Sequence, residues 1–553
     1  MLQPQTSWPS GPRCIPGARV FPKALHFESS SELDVIIKED FDHQHFEYDY
    51  FIRDDTGRNW YQLELERTPP GHLKSGQTIR VRGEPKGTKF RVESLEEEGS
   101  APSDPLAVPG DEAAVAVDER KAVVLMVNLT NAMVGQSRSQ IIGSMFTNTR
   151  SVDKLYREAS LGQMSFPADT DRDGHPDVFG PFNIPHDNSS CKYYDWAYAA
   201  ESAAQAAGVD LSLYRHRVFV LPNTSNLPAC SWAGVANVGC GTFCRAWIAG
   251  SSGMIYAHEL GHNLNMAHAA TDPENDGTIN NVYGDYSDPM GGATSSWYLF
   301  NAGHMHQMGW YGGVPGAVTT LMGSGTYDIA AIGMDPWTSG APAALKIYKP
   351  DTKDYYYLSY RQPIGDFNQL STSYTKGVNV HRYKGSGYGY TTHVTTLTDG
   401  GLFTDSANGI SVYQVGRSGD YARVQVSFGC APLPPSVGLA PATLTRQPGS
   451  SAEFSVSVTD QSSGCGGRYY AIDGQGELPA SVTPASLELS AGQTGSAKLV
   501  ADTVDAADGS YRIEAVVTDL DAEDPNRAET VASATLIVDG TAPSVPAGLA
   551  GSS

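Results

Sequence analysis

The sequence predicts a multidomain chain. An α/β (α+β) central domain, with a mixed twisted sheet and one histidine-bearing helix, is flanked by a small β-barrel before it and an all-β sandwich after it. Three observations predict this. The 553 residues exceed what one hydrophobic core organises. Two continuous apolar runs, Ala122-Val-Val-Leu-Met-Val127 and Val218-Phe-Val-Leu221, read as strands buried on both faces. Elsewhere long amphipathic helical runs are scarce, and short alternating segments rich in Gly, Ser, Thr and Tyr dominate.

Residues 1–19 read as a leader. In residues 20–97, Tyr61, Leu63 and Leu65 alternate with polar neighbours, as do Ile79/Val81 and Phe90/Val92. Asp55-Thr-Gly57, Lys74-Ser-Gly76 and Lys86-Gly87 supply the turns. The pattern resembles the oligonucleotide/oligosaccharide-binding type of barrel, here in the role of a prodomain or spacer. Residues 98–117 are Pro-, Ala- and acid-rich, a linker open to proteolytic nicking. In the central domain, 118–315, Val152, Leu155, Tyr156 and Ala159 follow helical spacing, and Asp195 is expected to cap an alanine-rich helix ending near Gly208. Arg245-Ala-Trp-Ile-Ala-Gly250 reads as a short strand. Residues 316–430 are strand-rich, as in Ala344-Leu-Lys-Ile-Tyr348 and Tyr355-Tyr-Tyr-Leu-Ser-Tyr360. Residues 431–540 alternate regularly and resemble an immunoglobulin-like sandwich. Residues 541–553 resemble the opening of a fibronectin type III module that stops almost at once.

The chemistry is concentrated in His258-Glu-Leu-Gly-His262-Asn-Leu-Asn-Met-Ala-His268. On a helix, positions four apart share a face about 6 Å apart, so His258 and His262 can hold one metal ion with Glu259 beside it. On a continuous helix His268 would lie about 15 Å along the axis from His258. The chain must therefore turn after His262, and Asn265 is a residue that enters the left-handed region cheaply. Neutral imidazoles suit Zn²⁺, and three of them leave a fourth position for water. The pKa of that water falls towards about 7, and Glu259 is the base that takes its proton as it attacks a peptide carbonyl.

This segment resembles the HExxHxxGxxH signature of the metzincin metallopeptidases, with Asn265 in place of Gly. Tyr283-Gly-Asp-Tyr-Ser-Asp-Pro-Met290-Gly-Gly is similar to the turn that sets a methionine beneath the metal in that clan. Gly292 stands where some members place a tyrosine ligand, so no tyrosine ligand is carried over. Together with Leu155–Phe166, Asp177–Phe182, Cys230–Gly234, Arg245–Gly250 and Phe300–Trp310, these runs resemble the gametolysin-type peptidases over about 118–430. The resemblance implies a metzincin-like catalytic domain and a secreted zinc endopeptidase acting on extracellular, matrix or cell-wall proteins. In metzincins an edge strand near Arg245–Gly250 pairs with extended substrate. Arg13-Cys14-Ile-Pro-Gly is similar to the inhibitory cysteine segment of matrix-metalloproteinase prodomains, but a whole β domain separates it from the catalytic unit, and an ordinary leader cysteine is the reading preferred.

Composition bounds the rest. The net charge of −23 disfavours a nucleic-acid partner or an anionic membrane surface. No apolar run approaches the roughly 18 residues of a membrane span. Met1-Leu-Gln-Pro-Gln-Thr-Ser-Trp lacks the charged and apolar regions of a signal peptide, so an extracellular or cell-surface location requires another export route or a start upstream. Of the 7 cysteines, Cys191–Cys230, Cys240–Cys244 and Cys430–Cys465 are the pairs preferred, with Cys14 odd, and free buried cysteines are the alternative. Asp169, Asp171, Asp173 and Asp177, with Gly174, match the oxygen-rich first part of a calcium loop, making Ca²⁺ a candidate second metal. Asp272–Gly277 reads as a solvated acidic loop, and His304 and His306 as structural. Two other functions stay open: a non-catalytic adhesion protein whose β modules bind glycan or protein, and a zinc hydrolase acting on glycopeptides.

Overall fold

A computed structural model describes residues 27–41, 43–53, 60–65, 73–97, 117–292, 296–429, 433–462, 467–490, 492–521 and 529–540. Cys14, Cys430, Cys465, the Asp55–Gly57 turn, nearly all of the 98–117 linker and residues 541–553 lie outside them.

The central sheet follows from the two apolar runs. Ala122–Asn128 and His216–Val220 pair in parallel, and Cys244–Ile248 joins parallel to the second. Val178–Asn183 adds parallel beyond Ala122–Asn128, and Gly234–Asn237 adds antiparallel beyond Cys244–Ile248. Side chains alternate between two packed faces. Val123, Leu125, Phe219 and Trp247 meet the helix Tyr193–Ala206. Val124, Met126, Val218, Ala246 and Ile248 meet the helices Val152–Ala159 and Gly253–Asn263. Both faces are covered, so the strands read as unbroken apolar runs. One expectation needs correction: Asp195 lies in the first turn of its helix, and the N-cap is Lys192. Cys244–Ile248 has partners on both sides, and the outer strand beside it is Gly234–Asn237.

That edge is occupied. The N-terminal strands are β1 (Phe27–Asp40), β2 (His45–Arg53), β3 (Trp60–Glu64), β4 (Thr78–Lys86) and β5 (Lys89–Glu97). They pair in a ring, β1–β2–β3–β5–β4–β1, with β3 and β5 parallel. β1 also pairs antiparallel with Gly234–Asn237, which extends the central sheet to ten strands. Residues 316–429 build a second sheet, joined to the central region where Ala269–Thr271 pairs with Thr391–Thr396. Residues 436–538 form a four-stranded and a five-stranded sheet closed over their own core. Among the described residues, no helix is long and apolar enough to cross a membrane.

Candidate metal centre

The helix Gly253–Asn263 starts where Ser252 accepts a hydrogen bond from the Met254 amide. It stops because Asn265 turns left-handed, at φ +69°. The Asn265 amide then donates to His262 O (2.8 Å) and the Met266 amide to Gly261 O (3.0 Å), the two reversed bonds of a Schellman cap. This cap sends the chain back, and Ala269–Thr271 runs on from it. His258, His262 and His268 are thereby brought together and buried, each no more than 2 % exposed.

The backbone fixes how the imidazoles point. His258 Nδ1 donates to Pro289 O at 2.7 Å, and His262 Nδ1 donates to Met266 O at 2.9 Å. Carbonyl oxygens only accept, so these Nδ1 atoms carry the protons and each Nε2 presents a lone pair. The two Nε2 atoms lie 3.2 Å apart. Two lone pairs facing each other at that distance repel unless a cation sits between them. Metal–nitrogen bonds of about 2.0–2.1 Å give a tetrahedral edge of about 3.3 Å, which this spacing fits.

A fourth candidate ligand atom lies beside them, and sequence reasoning missed it. Glu39 of β1 is fully buried, with Oε1 3.1 Å from His258 Nε2, 3.2 Å from His262 Nε2 and in contact with His268 Nε2. The Tyr283 hydroxyl donates to the same oxygen at 3.1 Å. Leu33, Val35, Ile37 and Glu39 share one face of β1, so a charge where the alternation calls for an apolar residue was the available signal. Burial alone would raise the Glu39 carboxyl, but the three imidazoles hold it well below the usual carboxylate range. Burial likewise opposes charge on His258, yet Glu39 raises it, while burial prevails at His268 and pushes it down to about 4.

Glu259 is fully buried, and neither of its oxygens has a hydrogen-bond partner among the described residues. Burial, and then the nearby Glu39 charge, push its pKa well above the usual range. Gly234 makes room for it: a Cβ there would lie 1.8 Å from Glu259 Oε1. Gly261 does the same for Met290, whose Sδ would be 2.3 Å from a Cβ at that position. Met290 thus packs directly against the helix between the two ligand turns. Its neighbour Pro289 holds His258, and the Ala269 amide donates to Met290 O at 2.9 Å.

Asp169, Asp171 and Asp173 bring carboxylate oxygens within 4.8 Å of one another on the surface. Asp177 is buried apart from them, accepting from the Thr170 amide (2.7 Å) and the Tyr214 hydroxyl (2.6 Å). Asp272 corrects the solvated-loop expectation: it is buried and accepts from Arg382 at 2.7 Å. His304 belongs to none of the candidate metal clusters among the described residues; its Nδ1 meets Asp288 Oδ2 at 2.9 Å, bracing the turn before Met290. His306 Nδ1 lies 2.9 Å from the Tyr357 hydroxyl. Disulfides join Cys191 to Cys230 and Cys240 to Cys244. The second occupies both thiols that lie near His216, so that cluster offers no thiolate to a metal.

Residues 129–400 match the model of the family described as gametolysin peptidase M11. No curated protein matches the chain. Among solved structures, WR4, a C. elegans MSP family member, is 12% identical and covers 19% of this chain and 97% of its own, with a TM-score of 0.14. The seventh PapD-like domain of human CEP192 is 11% identical and covers 19% of this chain and 87% of its own, with a TM-score of 0.15.

Proposed function

With residues 129–400 marking the chain as a gametolysin-type metallopeptidase, we propose that it is a zinc-dependent endopeptidase that hydrolyses peptide bonds in extracellular, matrix or cell-wall proteins. The observation that carries the zinc assignment is the pair of Nδ1–carbonyl bonds that turn two lone pairs towards each other at 3.2 Å. His258, His262 and His268 would hold the ion. When bound, Zn²⁺ supplies a Lewis acid that acidifies a water and polarises a carbonyl. Glu259 is the base: it takes the water's proton during attack and passes it to the leaving amine. The Tyr283 hydroxyl is placed to donate to an oxygen in the position Glu39 Oε1 now takes. Extended substrate pairs with the edge Gly234–Asn237, which brings its backbone past Glu259. The two disulfides support an oxidising, extracellular setting. Calcium at Asp169, Asp171 and Asp173 is a separate proposal, checked by calcium analysis of the same sample.

Metal analysis of the full chain should find about one zinc, and His262→Ala should lose it. Glu259→Gln should keep the zinc and lower casein cleavage at least about 100-fold. A folded chain that takes up no zinc sinks the reading.

A further inference from the structure

We propose that Glu39 is the fourth ligand of this metal centre and that the N-terminal barrel holds the enzyme latent, with β1 in the place of substrate and the Glu39 carboxylate in the place of the reactive water. The proposal rests on the zinc-endopeptidase reading above.

Three independent features of the interface point this way. The first is backbone pairing. Ile36, Ile37, Lys38 and Glu39 face Asn237, Ala236, Val235 and Gly234 in antiparallel register. The ladder continues at both ends, where the Val238 amide donates to Val35 O (2.8 Å) and the Ala233 amide to Glu39 O (3.1 Å). An extended peptide added to a sheet edge beside the metal cluster is how a protease holds its substrate strand. The second is register. Glu39 falls opposite Gly234, the residue whose missing side chain makes room for Glu259. The inserted strand therefore delivers its carboxylate to the catalytic glutamate and to all three imidazoles at once. A buried carboxylate without a cation is costly, and four donor atoms that all lie within 4.8 Å of one another supply the place for one. The third is closure. Phe41 and Phe46, either side of the β1–β2 turn, set their rings edge-on to His258 (5.0 Å) and His268 (5.1 Å). The Tyr48 hydroxyl closes the far rim on the Tyr388 hydroxyl at 2.8 Å.

The barrel is also fastened beyond the cleft. Asn237 Nδ2 donates to Ser75 Oγ at 3.0 Å, the Tyr193 hydroxyl donates to Asp49 at 2.6 Å, and Phe51 stacks on Tyr194 at 4.4 Å. A cut in the Pro- and acid-rich stretch 98–117 leaves the barrel held by non-covalent contacts, and activation is the loss of the barrel after that cut.

The test uses the full chain with Co²⁺ replacing Zn²⁺, so that visible absorption reports the ligands directly. In wild type, acetohydroxamate should leave the spectrum unchanged, because Glu39 fills the fourth position. In Glu39→Gln and Glu39→Ala it should shift the spectrum, and casein cleavage by the zinc forms should rise at least about tenfold. Thermal melting checks that each variant is folded, and Glu39→Gln keeps the side-chain volume should Glu39→Ala not fold. If acetohydroxamate perturbs wild type and Glu39→Gln alike, or wild type cleaves casein as fast as the variants, latency through Glu39 is overturned while the peptidase reading stands. A wild-type chain that binds neither metal overturns the peptidase reading instead.

Discussion

The N-terminal barrel and the C-terminal sandwich are both small, alternating, all-β units, yet they treat their edges and cores differently. Among the described residues the strands of the sandwich pair only with one another, and its core residues, Ala452 to Val538, form a cluster of their own. The barrel lends β1 to the central sheet, and Leu33, Val35 and Ile37 share one apolar cluster with Val124, Leu260 and Met290. An edge strand can be buried for stability or offered for recognition. The sandwich shows the self-contained solution, while the barrel's pairing places a side chain at the metal centre. The barrel and central domain should therefore unfold as one unit, and the sandwich as another.

Metal removal should separate the two units most strongly. On the zinc reading the ion is held within the shared core, so chelation should lower that transition by more than about 5 kcal/mol if free metal otherwise stands well above 1,000 times its Kd. The sandwich transition should stay where it is in calorimetry. Two transitions that fall together would show that the cores are not separate.

The next effect is a buried ion pair. Arg245 donates through Nε (2.9 Å) and Nη2 (3.1 Å) to the two oxygens of Glu201, and both side chains are buried. Arg217 also lies 3.2 Å from Glu201 Oε1. Glu201→Ala leaves a guanidinium uncompensated between the central sheet and its covering helix, at a cost of about 3–5 kcal/mol. Chemical denaturation should show this loss in the shared core and not in the sandwich. An unchanged midpoint would mean that Arg245 finds another partner.

How legible each region was in sequence follows from the range of its contacts. The three histidines were legible because an eleven-residue stretch contains both the helical spacing and the residue that turns the chain, Asn265 at φ +69°. The central strands were legible because burial on both faces leaves an unbroken apolar run. Glu39 was not, since its partner His258 lies 219 residues away and only the broken alternation of β1 marked it. Asp272 misled for the same reason: its neighbours are polar and turn-like, and Arg382, which buries its charge, lies 110 residues on.

Acid should distinguish the two units by a smaller margin, through histidine. None of the 14 histidines lies beyond His393, so the sandwich has no imidazole to protonate. The shared core has His216, fully buried beneath the sheet, with Nε2 lacking any hydrogen-bond partner among the described residues. Burial, and then the Arg120 charge, push its pKa down to about 3. A depressed histidine pKa means that below about 6.5 the unfolded chain binds a proton that the native chain refuses, so stability falls as pH falls. The loss begins near pH 6.5 and continues until the pH reaches the native pKa. By pH 5 His216 alone accounts for about 1.5 pH units of this, or roughly 2 kcal/mol. Carboxylates of ordinary pKa remain ionised over that interval, so the sandwich transition should hold still while the core transition moves down towards it. His216→Gln should remove the His216 share of the slope between pH 6.5 and 5 and leave the share of His268, His306 and His393, which burial holds down to about 4. A core transition that is flat over this range in the wild type would show that His216 gains a proton without leaving its site, and that the cavity around it admits water.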